Sequence, residues 1–530
     1  MLDALLQNVD PAAVAGALLL LSLQLLQFCA QCQYAQHLID NEPRKIRVDV
    51  VVLPRLLPTT VPLIGHAVNY MREGHDYFSN LCRSTKLPIF TIRIAPISLT
   101  IVQPSLRQYL PKVRHLRLNS LVAAIFRRAL AFGDHSCALL REELQQSHGF
   151  GSQVSRIFRE EFIPNRNLRR YVLRLDDHIH NAFSDLVHRN SDAKIRIEEW
   201  VFSTVVGALG SVLWGESSSQ KSPFSESEFL FHLKSMLQNM RALSNPVSLL
   251  IDRKLLESRR FVREALKSSA AVAEYPSDSL LGRLRSACDA HGAAPEDWTD
   301  FQLLLLAGAL PNIVGGLAWT VHHLVAEPEW LASMREELTA YSDSVGGEID
   351  LAEVPTRCPK LMATWKEVLR CHSGFSIARH VESDTTIASR WLLGKGTILV
   401  APLRPYHIDA AVWGDDVDEF RPARFLKADG SLDESQRRKM KMFGLFGAMC
   451  PGRFLAANIA MSFMIRLISS VDICTIDGRP HVVPQEAKDS MVGLPIPEDD
   501  PEVFVRRWRQ DPQEITIRLH SAKSASSDEE

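Results

Sequence analysis

One cysteine of this chain has the surroundings that a metal-binding thiolate needs. Cys450 lies in a loop with Gly444, Gly447 and Gly452, and a helix-like apolar run follows directly. Glycines let a backbone bend tightly and approach a flat object closely, and the positive end of a helix stabilises a thiolate. These features suit a thiolate that binds haem iron and pushes electron density onto it. A buried structural thiol is the other interpretation of this cysteine taken alone.

The residues around the cysteine favour a haem ligand over a structural thiol. Phe443 lies seven residues before Cys450, Gly452 two after it and Ala456 six after it. This pattern resembles the haem-binding loop of cytochromes P450. The resemblance implies that Cys450 is the axial ligand of the iron of haem b, with Phe443 and Gly452 in the cofactor-binding loop.

Two residues of the loop depart from the family pattern. Phe446 stands where a glycine is usual, four residues before the cysteine. Ala448 stands where an arginine or histidine often holds a haem propionate, two residues before it. These departures concern the seating of the haem and leave the iron ligand unchanged.

Charged residues upstream fit the same resemblance. Glu367 and Arg370 form a Glu-x-x-Arg motif, which by itself is an ordinary surface pair at helical spacing and also occurs at 257–260 and 434–437. Only this copy is followed by Arg379 and then by Arg424 in the order that the family shows. The resemblance implies that Glu367, Arg370 and Arg424 form a buried charge cluster beneath the haem, and that Arg379 binds a propionate. Such a cluster is costly unless every partner is present.

A long apolar segment, predicted as a helix over Trp298–His323, is expected to cross the haem. Most members of the family have an acid followed by a threonine in this helix, which helps to deliver protons to dioxygen. This chain has Pro311 and Asn312 instead, and we predict that Gly308, Ala309 and Asn312 face the reacting ligand. Proline removes a backbone hydrogen bond and bends a helix, so a kink in a packed helix is the alternative interpretation of Pro311.

The asparagine is itself typical of one group within the family. Asn312 followed by Trp319 resembles the cholesterol 7α-hydroxylase and prostacyclin synthase group, and three segments agree, namely 131–136, 370–379 and 493–497. Some members of that group hydroxylate sterols with dioxygen, and others rearrange a peroxide in the substrate. Asparagine donates and accepts hydrogen bonds but is a poor proton-transfer acid. Three interpretations therefore stay open: a monooxygenase, a haem-thiolate isomerase or dehydratase, and a non-catalytic membrane protein.

Composition and motifs exclude several other classes. The chain has 530 residues, 46% of them hydrophobic, and a net charge of −2, which gives no indication of nucleic-acid binding. Its nine cysteines are scattered and odd in number, so they predict no disulfide framework. One Cys-x-x-Cys pair, at 29–32, lacks the second pair that a zinc site needs. No Walker loop, GxGxxG or GxSxG motif occurs.

The resemblance and the periodicity together predict a mainly α fold with small β-sheets. We predict a lumenal segment 1–11, a transmembrane anchor 12–32, a linker and hinge 33–65, a catalytic domain 66–515 and a disordered tail 516–530. The regular elements that the pattern predicts are helices over Phe162–His188, Ile195–Trp214 and Phe229–Ala242, strands over Ile89–Ile94 and Thr397–Ala401, and a loop over Ser217–Ser227.

The predicted anchor rests on an apolar run of about the length that spans a bilayer. Two aspartates precede the run, so it lacks the basic start of a cleaved signal peptide. Basic residues follow it, at 44, 45, 47 and 55, which places the remainder of the chain in the cytosol. We therefore expect a single-pass anchor in the endoplasmic reticulum membrane.

The resemblance also implies partners and a substrate. The basic run Gln436–Lys441 precedes the cysteine loop, where acidic reductases dock on this family, and opposite charge raises encounter rates; a solvated charge run is the alternative. We expect an NADPH-cytochrome P450 reductase, with cytochrome b5 as a further candidate. The expected substrate is a lipophilic terpenoid, sterol or polyketide of secondary metabolism, which the enzyme hydroxylates or epoxidises.

Overall fold

The structure is a computed structural model, and most of the chain beyond the N-terminus is described. The described residues are 53–57, 65–74, 76–94, 97–141, 149–189, 193–214, 222–245, 252–272, 275–374, 376–446, 449–488, 493–508 and 515–520. The predicted anchor and most of the predicted linker lie outside the described residues.

Helices make up most of the described chain, as the apolar periodicity predicts. They are α1 Ala67–Glu73, α2 Asp76–Ser84, α3 Asn119–Ala129, α4 Asp134–Arg141, α5 Phe150–Phe162, α6 Arg166–Arg189, α7 Ile197–Trp214, α8 Ser227–Gln238, α9 Met240–Leu243, α10 Arg253–Val272, α11 Leu280–Ala290, α12 Pro295–Ala326, α13 Pro328–Ser344, α14 Val354–Arg357, α15 Pro359–Cys371, α16 Arg404–His407, α17 Ala410–Trp413, α18 Glu434–Lys439 and α19 Arg453–Ser470. Short 3₁₀ helices span Pro104–Lys112, Pro223–Ser225 and Pro422–Phe425.

The strands form one larger sheet and three small ones. They are β1 Arg55–Leu56, β2 Ile89–Ile94, β3 Ile97–Val102, β4 Leu116–Arg117, β5 Ala193–Arg196, β6 Glu348–Asp350, β7 Ser376–Val381, β8 Thr385–Ile387, β9 Trp391–Leu393, β10 Ile398–Pro402, β11 Val471–Thr475, β12 Glu502–Arg507 and β13 Thr516–Arg518. The larger sheet has the order β1-β2-β3-β10-β7-β4, in which β10 pairs parallel to β3 and antiparallel to β7. The small sheets are β11-β12-β5, β13-β6 and β8-β9. The predicted combination of many helices with small sheets is confirmed.

The longest helix, α12, runs through the main hydrophobic core. It is buried along most of its length, and most of its side chains from Trp298 to Leu324 are apolar. A proline at its first position and two acidic residues in its first turn favour its start. The helix continues from Pro295 to Ala326 across Pro311. The missing amide hydrogen of Pro311 leaves the carbonyl of Ala307 without its usual helical donor.

Two described helices are long and apolar enough to cross a membrane, namely α7 and α12. Both are largely buried inside the protein, with 72% and 78% of their most apolar windows enclosed. They are therefore helices of the protein core.

Several predicted boundaries differ from those of the structure. The predicted helix over 162–188 is interrupted between α5 and α6, and the one over 229–242 between α8 and α9. The predicted linker contains β1, which pairs with β2, so the folded domain begins before residue 66. The predicted tail contains β13, which pairs with β6, so the domain continues beyond 515. Residues 193–196, predicted in part as the start of a helix, pair with β12 as strand β5. The predicted serine-rich loop contains a 3₁₀ turn at Pro223–Ser225 and the first residue of α8.

Candidate active site

The cysteine loop is held by its own backbone and ends in a helix. The amide of Cys450 donates to the carbonyl oxygen of Phe443 at 2.6 Å, which closes the loop. Gly452 is the N-cap of α19, and Arg453 is its first residue. The guanidinium of Arg453 donates to the Cys450 carbonyl at 3.1 Å. The loop thus presents the cysteine at the positive end of an 18-residue helix.

The sulfur of Cys450 is accessible and yet removed from bulk water. Its side chain is exposed, while burial by the surrounding protein raises the pKa of the thiol. The amides of Gly452 and Arg453 and the charge of Arg453 act in the opposite direction and favour the thiolate. A metal ion deprotonates a coordinating thiol outright, so the accessible sulfur of Cys450 suits coordination of a metal cation.

Arg379 is a buried cation that needs an anion. It lies on β7 with 7% of its surface exposed. Its guanidinium donates to the Ala378 carbonyl at 2.8 Å and lies over the ring of Phe446 at 4.9 Å. Among the described residues no carboxylate lies within ion-pair distance of it, and burial lowers its pKa to about 10. A buried unpaired charge is expensive, and a haem propionate would satisfy it.

The predicted charge cluster is present as one connected group. The guanidinium of Arg370 binds both carboxylate oxygens of Glu367 at 2.8 Å, and Arg424 reaches the same carboxylate at 3.3 Å. Glu367 and Arg370 are fully buried. Arg370 also donates to the carbonyls of His407 and Val417 at 2.9 and 2.8 Å, which ties the cluster to the segment before the cysteine loop.

The sequence reasoning missed the fourth member of this cluster. Asp416 binds Arg424 at 2.7 Å, and the hydrogen bond from Arg424 lowers the pKa of Asp416. The buried part of the cluster therefore contains two carboxylates and two guanidiniums, which is a better balance than the predicted two-to-one ratio. The exposed Arg421 also pairs with Asp416, at 2.8 Å. Asp416 lies in a run of acidic residues, Asp415, Asp416 and Asp418, so no spacing signal distinguished it.

The predicted ligand-facing residues of α12 form an open strip on an otherwise buried helix. Gly308 is exposed, and Ala309 and Asn312 are partly exposed, while their neighbours in the helix are mostly buried. A side chain at Gly308 would meet no atom within 4 Å. The Oδ1 atom of Asn312 accepts hydrogen bonds from the amides of Gly493 and Leu494 at 3.1 and 3.3 Å.

A second missed feature ties the segment 131–136 to the start of α12. Asp297 accepts hydrogen bonds from Ser136 and from His135, the latter at 2.7 Å. Asp300 accepts from the amide of Gly133 at 2.9 Å and pairs with Arg263 at 2.7 Å. Each contact of residues 133–136 with α12 joins two residues more than 160 positions apart in the sequence. The sequence alone therefore does not reveal these contacts.

A third missed feature is a set of buried histidines behind α12. His323 and His372 share a hydrogen bond of 2.8 Å between their Nε2 atoms, and His372 Nδ1 binds Glu486 at 2.7 Å. His322 binds His481 at 2.9 Å. The ring of His372 stacks on Trp319 with 3.8 Å between centroids. This cluster joins α12, α15 and the segment that leads to the C-terminal loop.

These observations fit a haem. A thiol at a helix start and a buried arginine without a carboxylate are the two protein groups that would hold the iron and a propionate. The arrangement therefore fits the class of haem-thiolate proteins.

Comparison with known proteins agrees with this class. The family model for Cytochrome P450 matches residues 295–502. "Cytochrome P450 monooxygenase nodJ" of Hypoxylon pulicicidum is 26% identical over 446 residues, which cover 79% of this chain and 83% of that protein. A "Cytochrome P450 monooxygenase" of Gibberella zeae is 22% identical, over 82% of this chain and 83% of that protein. "Ferruginol synthase" of Salvia miltiorrhiza is 22% identical, over 78% of this chain and 86% of that protein.

Residues 295–502 carry a cytochrome P450 domain, and the two fungal relatives support an enzyme of the monooxygenase type. The family implies haem b as the cofactor, with electrons that come from NADPH through a reductase. The two fungal relatives support a fungal origin.

Proposed function

We propose that this enzyme hydroxylates or epoxidises a lipophilic small molecule, a terpenoid, sterol or polyketide, in the secondary metabolism of a fungus. Two observations carry the proposal: Cys450 lies at the start of α19, and α12, a helix in contact with α19, bears an open strip on its otherwise buried surface. The names of two relatives support it: one is a ferruginol synthase and the other an "Ent-sandaracopimaradiene 3-hydroxylase" of Oryza sativa, 29% identical over 217 residues.

The bound haem would supply the activation of dioxygen. The chain's own residues perform the other tasks. Cys450 would hold the iron, with the amides of Gly452 and Arg453 directed at its sulfur. Arg379 would neutralise a propionate, and the cluster of Glu367, Arg370, Arg424 and Asp416 fixes the segment before the cysteine loop. Because their side chains are small, Gly308 and Ala309 leave room beside the helix where a substrate must approach.

The haem ligand is tested by comparing Cys450→Ser with Cys474→Ser. Cys450→Ser should abolish the long-wavelength Soret band that a thiolate gives the reduced carbon monoxide complex. Cys474, on β11, lies outside the proposed site, so its replacement should leave the band intact. A normal band in the Cys450 variant would show that another group binds the iron.

A second candidate reaction is a rearrangement without dioxygen. Asn312 favours it, because an amide cannot relay protons as an acid does. The two reactions are separated by incubating the enzyme and reductase with extracts of the producing organism under labelled dioxygen. Label in the product together with substrate-dependent NADPH consumption supports the monooxygenase. Unlabelled product formed without NADPH would support the isomerase or dehydratase.

We also propose that electrons enter beside α18 from a separate NADPH-cytochrome P450 reductase, with cytochrome b5 as a further donor. Arg437 and Arg438 on this helix are exposed, but Arg437 pairs with Glu434, so Arg438 is the better candidate contact. Arg438→Glu should slow reduction by the reductase and weaken its dependence on salt. Arg253→Glu, at the start of α10 and outside the proposed docking face, is the control. Equal rates in both variants would exclude this docking face.

We propose that segment 12–32 anchors the enzyme in the endoplasmic reticulum membrane, with the catalytic domain in the cytosol. The support is the apolar run and the basic residues that follow it. Cell fractionation of the full chain and of a chain starting at residue 33 tests the anchor. An unchanged distribution would contradict it.

A further inference from the structure

The C-terminal loop Gly493–Pro497 lies directly against α12. Asn312 Oδ1 accepts the amides of Gly493 and Leu494. On the other side of the loop, the amide of Gly374 donates to the Gly493 carbonyl at 2.9 Å. The start of the loop is thus held between α12 and the segment after α15.

The next turns of α12 continue this contact along the same helix face. A side chain at Gly315 would come within 2.9 Å of the Leu494 carbonyl oxygen, so only glycine permits this approach. Trp319 Nε1 donates to the Pro495 carbonyl at 2.6 Å. Asn312, Gly315 and Trp319 follow each other at spacings of three and four residues, which places them on one face of a helix. The loop and the helix therefore form one surface.

The hydrogen bonds also fix the orientation of the Asn312 amide. Two backbone N–H groups need an acceptor, so Oδ1 and not Nδ2 must point at the loop. The Nδ2 group is then directed away from the loop, and it makes no hydrogen bond to any described residue. Asn312 is partly exposed, and one turn earlier on the same face a methyl group added at Gly308 would meet no atom within 4 Å. The N–H donors of Asn312 thus border the open strip.

We propose that Asn312 is a positioning residue for substrate selection: its oxygen clamps the C-terminal loop to α12, so that the loop forms one wall of the substrate space. The proposal rests on the proposed function, in which the open strip of α12 faces the substrate. Asn312 would then determine the shape of the pocket. A threonine at this position could do so only in part, because its hydroxyl oxygen lies closer to the helix backbone than the amide oxygen of asparagine. An aspartate retains the clamp, since its carboxylate accepts both amides.

The test compares Asn312→Leu and Asn312→Asp in the purified haem-loaded enzyme, with Asn239→Leu as a control. Asn239 is also partly buried, but its amide donates to Ser235 within its own helical segment. Amide hydrogen exchange at Gly493 and Leu494 should rise about fivefold in Asn312→Leu, since each amide loses a hydrogen bond that contributes on the order of 1 kcal/mol. It should stay near the parent rate in Asn312→Asp and Asn239→Leu.

The second measurement is the ratio of affinities for a bulky aryl imidazole and for imidazole itself, from optical titration. Imidazole reports the haem alone, whereas the bulky ligand also contacts the pocket wall. The ratio should change several-fold in Asn312→Leu and be restored in Asn312→Asp. Unchanged exchange in Asn312→Leu, or an aspartate variant that behaves like the leucine variant, would overturn the clamp. Raised exchange with an unchanged ratio would overturn the role of the loop as a pocket wall. Neither measurement depends on whether the reaction is an oxygenation or a rearrangement.

Discussion

At the scale of single residues, one copy of the Glu-x-x-Arg motif is buried and another is exposed, so the two differ in how much they contribute to stability. Glu367 and Arg370 are fully buried and share their partners Arg424 and Asp416. Glu434 and Arg437 lie on the surface of α18 and are both exposed. The burial of the first pair, and not the motif, makes its charges indispensable.

This difference can be measured with one type of substitution. Glu367→Gln keeps the shape of the side chain but leaves Arg370 and Arg424 with the charge of Asp416 alone, so we expect a loss of about 3–5 kcal/mol in the free energy of unfolding. Glu434→Gln should change that free energy by less than about 0.5 kcal/mol. Urea denaturation of both variants provides the measurement. Equal effects would mean that the buried cluster contributes no more than the surface pair.

At the scale of elements, α12 carries two glycines with different surroundings. A methyl group at Gly308 would meet open space, whereas one at Gly315 would lie 2.9 Å from the Leu494 oxygen. Alanine is favoured over glycine in a helix by about 1 kcal/mol. An alanine at either position would gain this stabilisation, but only at Gly308 can the methyl group be added without displacing the C-terminal loop.

We therefore expect Gly308→Ala to raise the thermal midpoint and Gly315→Ala to lower it. The backbone carbonyl of Leu494 must move for the second variant to fold, because it cannot rotate away as a flexible side chain would. Differential scanning calorimetry of the two variants distinguishes them. A stabilising Gly315→Ala would show that the loop yields at little cost.

The elements also show how far the sequence predicts this structure. Strand β2 has the predicted bounds, and α12 extends the predicted helix by three residues at each end. Periodicity identified these elements because each carries a continuous local pattern. The split of 195–214 into β5 and α7 depends on pairing with β12, which no local pattern contains.

The site divides in the same way. The resemblance to a known family located Cys450, Arg379 and the charged residues Glu367, Arg370 and Arg424. Asp416, the contacts of Asp297 and the loop partner of Asn312 were not predicted, since each depends on a residue that folding alone brings near. The roles of Gly308, Ala309 and Asn312 toward the ligand stay predictions.

At the scale of the whole molecule, buried histidines determine the response to acid. Burial lowers the pKa of His322 and of His407 to about 3, and it lowers the pKa of His323 well below its usual value. Burial also lowers the pKa of His372, although Glu486 acts in the opposite direction. In the folded protein the rings of His322, His323 and His407 are neutral near pH 6.

The direction of the pH effect follows from these lowered values. Below the unfolded pKa of about 6.5 the unfolded chain binds protons that the folded chain does not, so stability falls as the pH drops through that value. At pH 5, His322 and His407 should each cost about 2 kcal/mol relative to neutral pH. Urea midpoints between pH 7.5 and pH 5 should decline steadily. A midpoint that stays constant down to the range where carboxylates titrate, about pH 4, would contradict this expectation.

The pairing of strands far apart in the chain also constrains how the protein is made. The larger sheet needs β10 at residue 398 between strands from the first hundred residues and β7. Residue 450 is synthesised later still, and β13, which pairs with β6, later again. Contacts of such long range form slowly. The ribosome must therefore release the segments that contain β10 and Cys450 before the larger sheet and the cysteine loop can both form, so we expect haem to be loaded after these segments are synthesised.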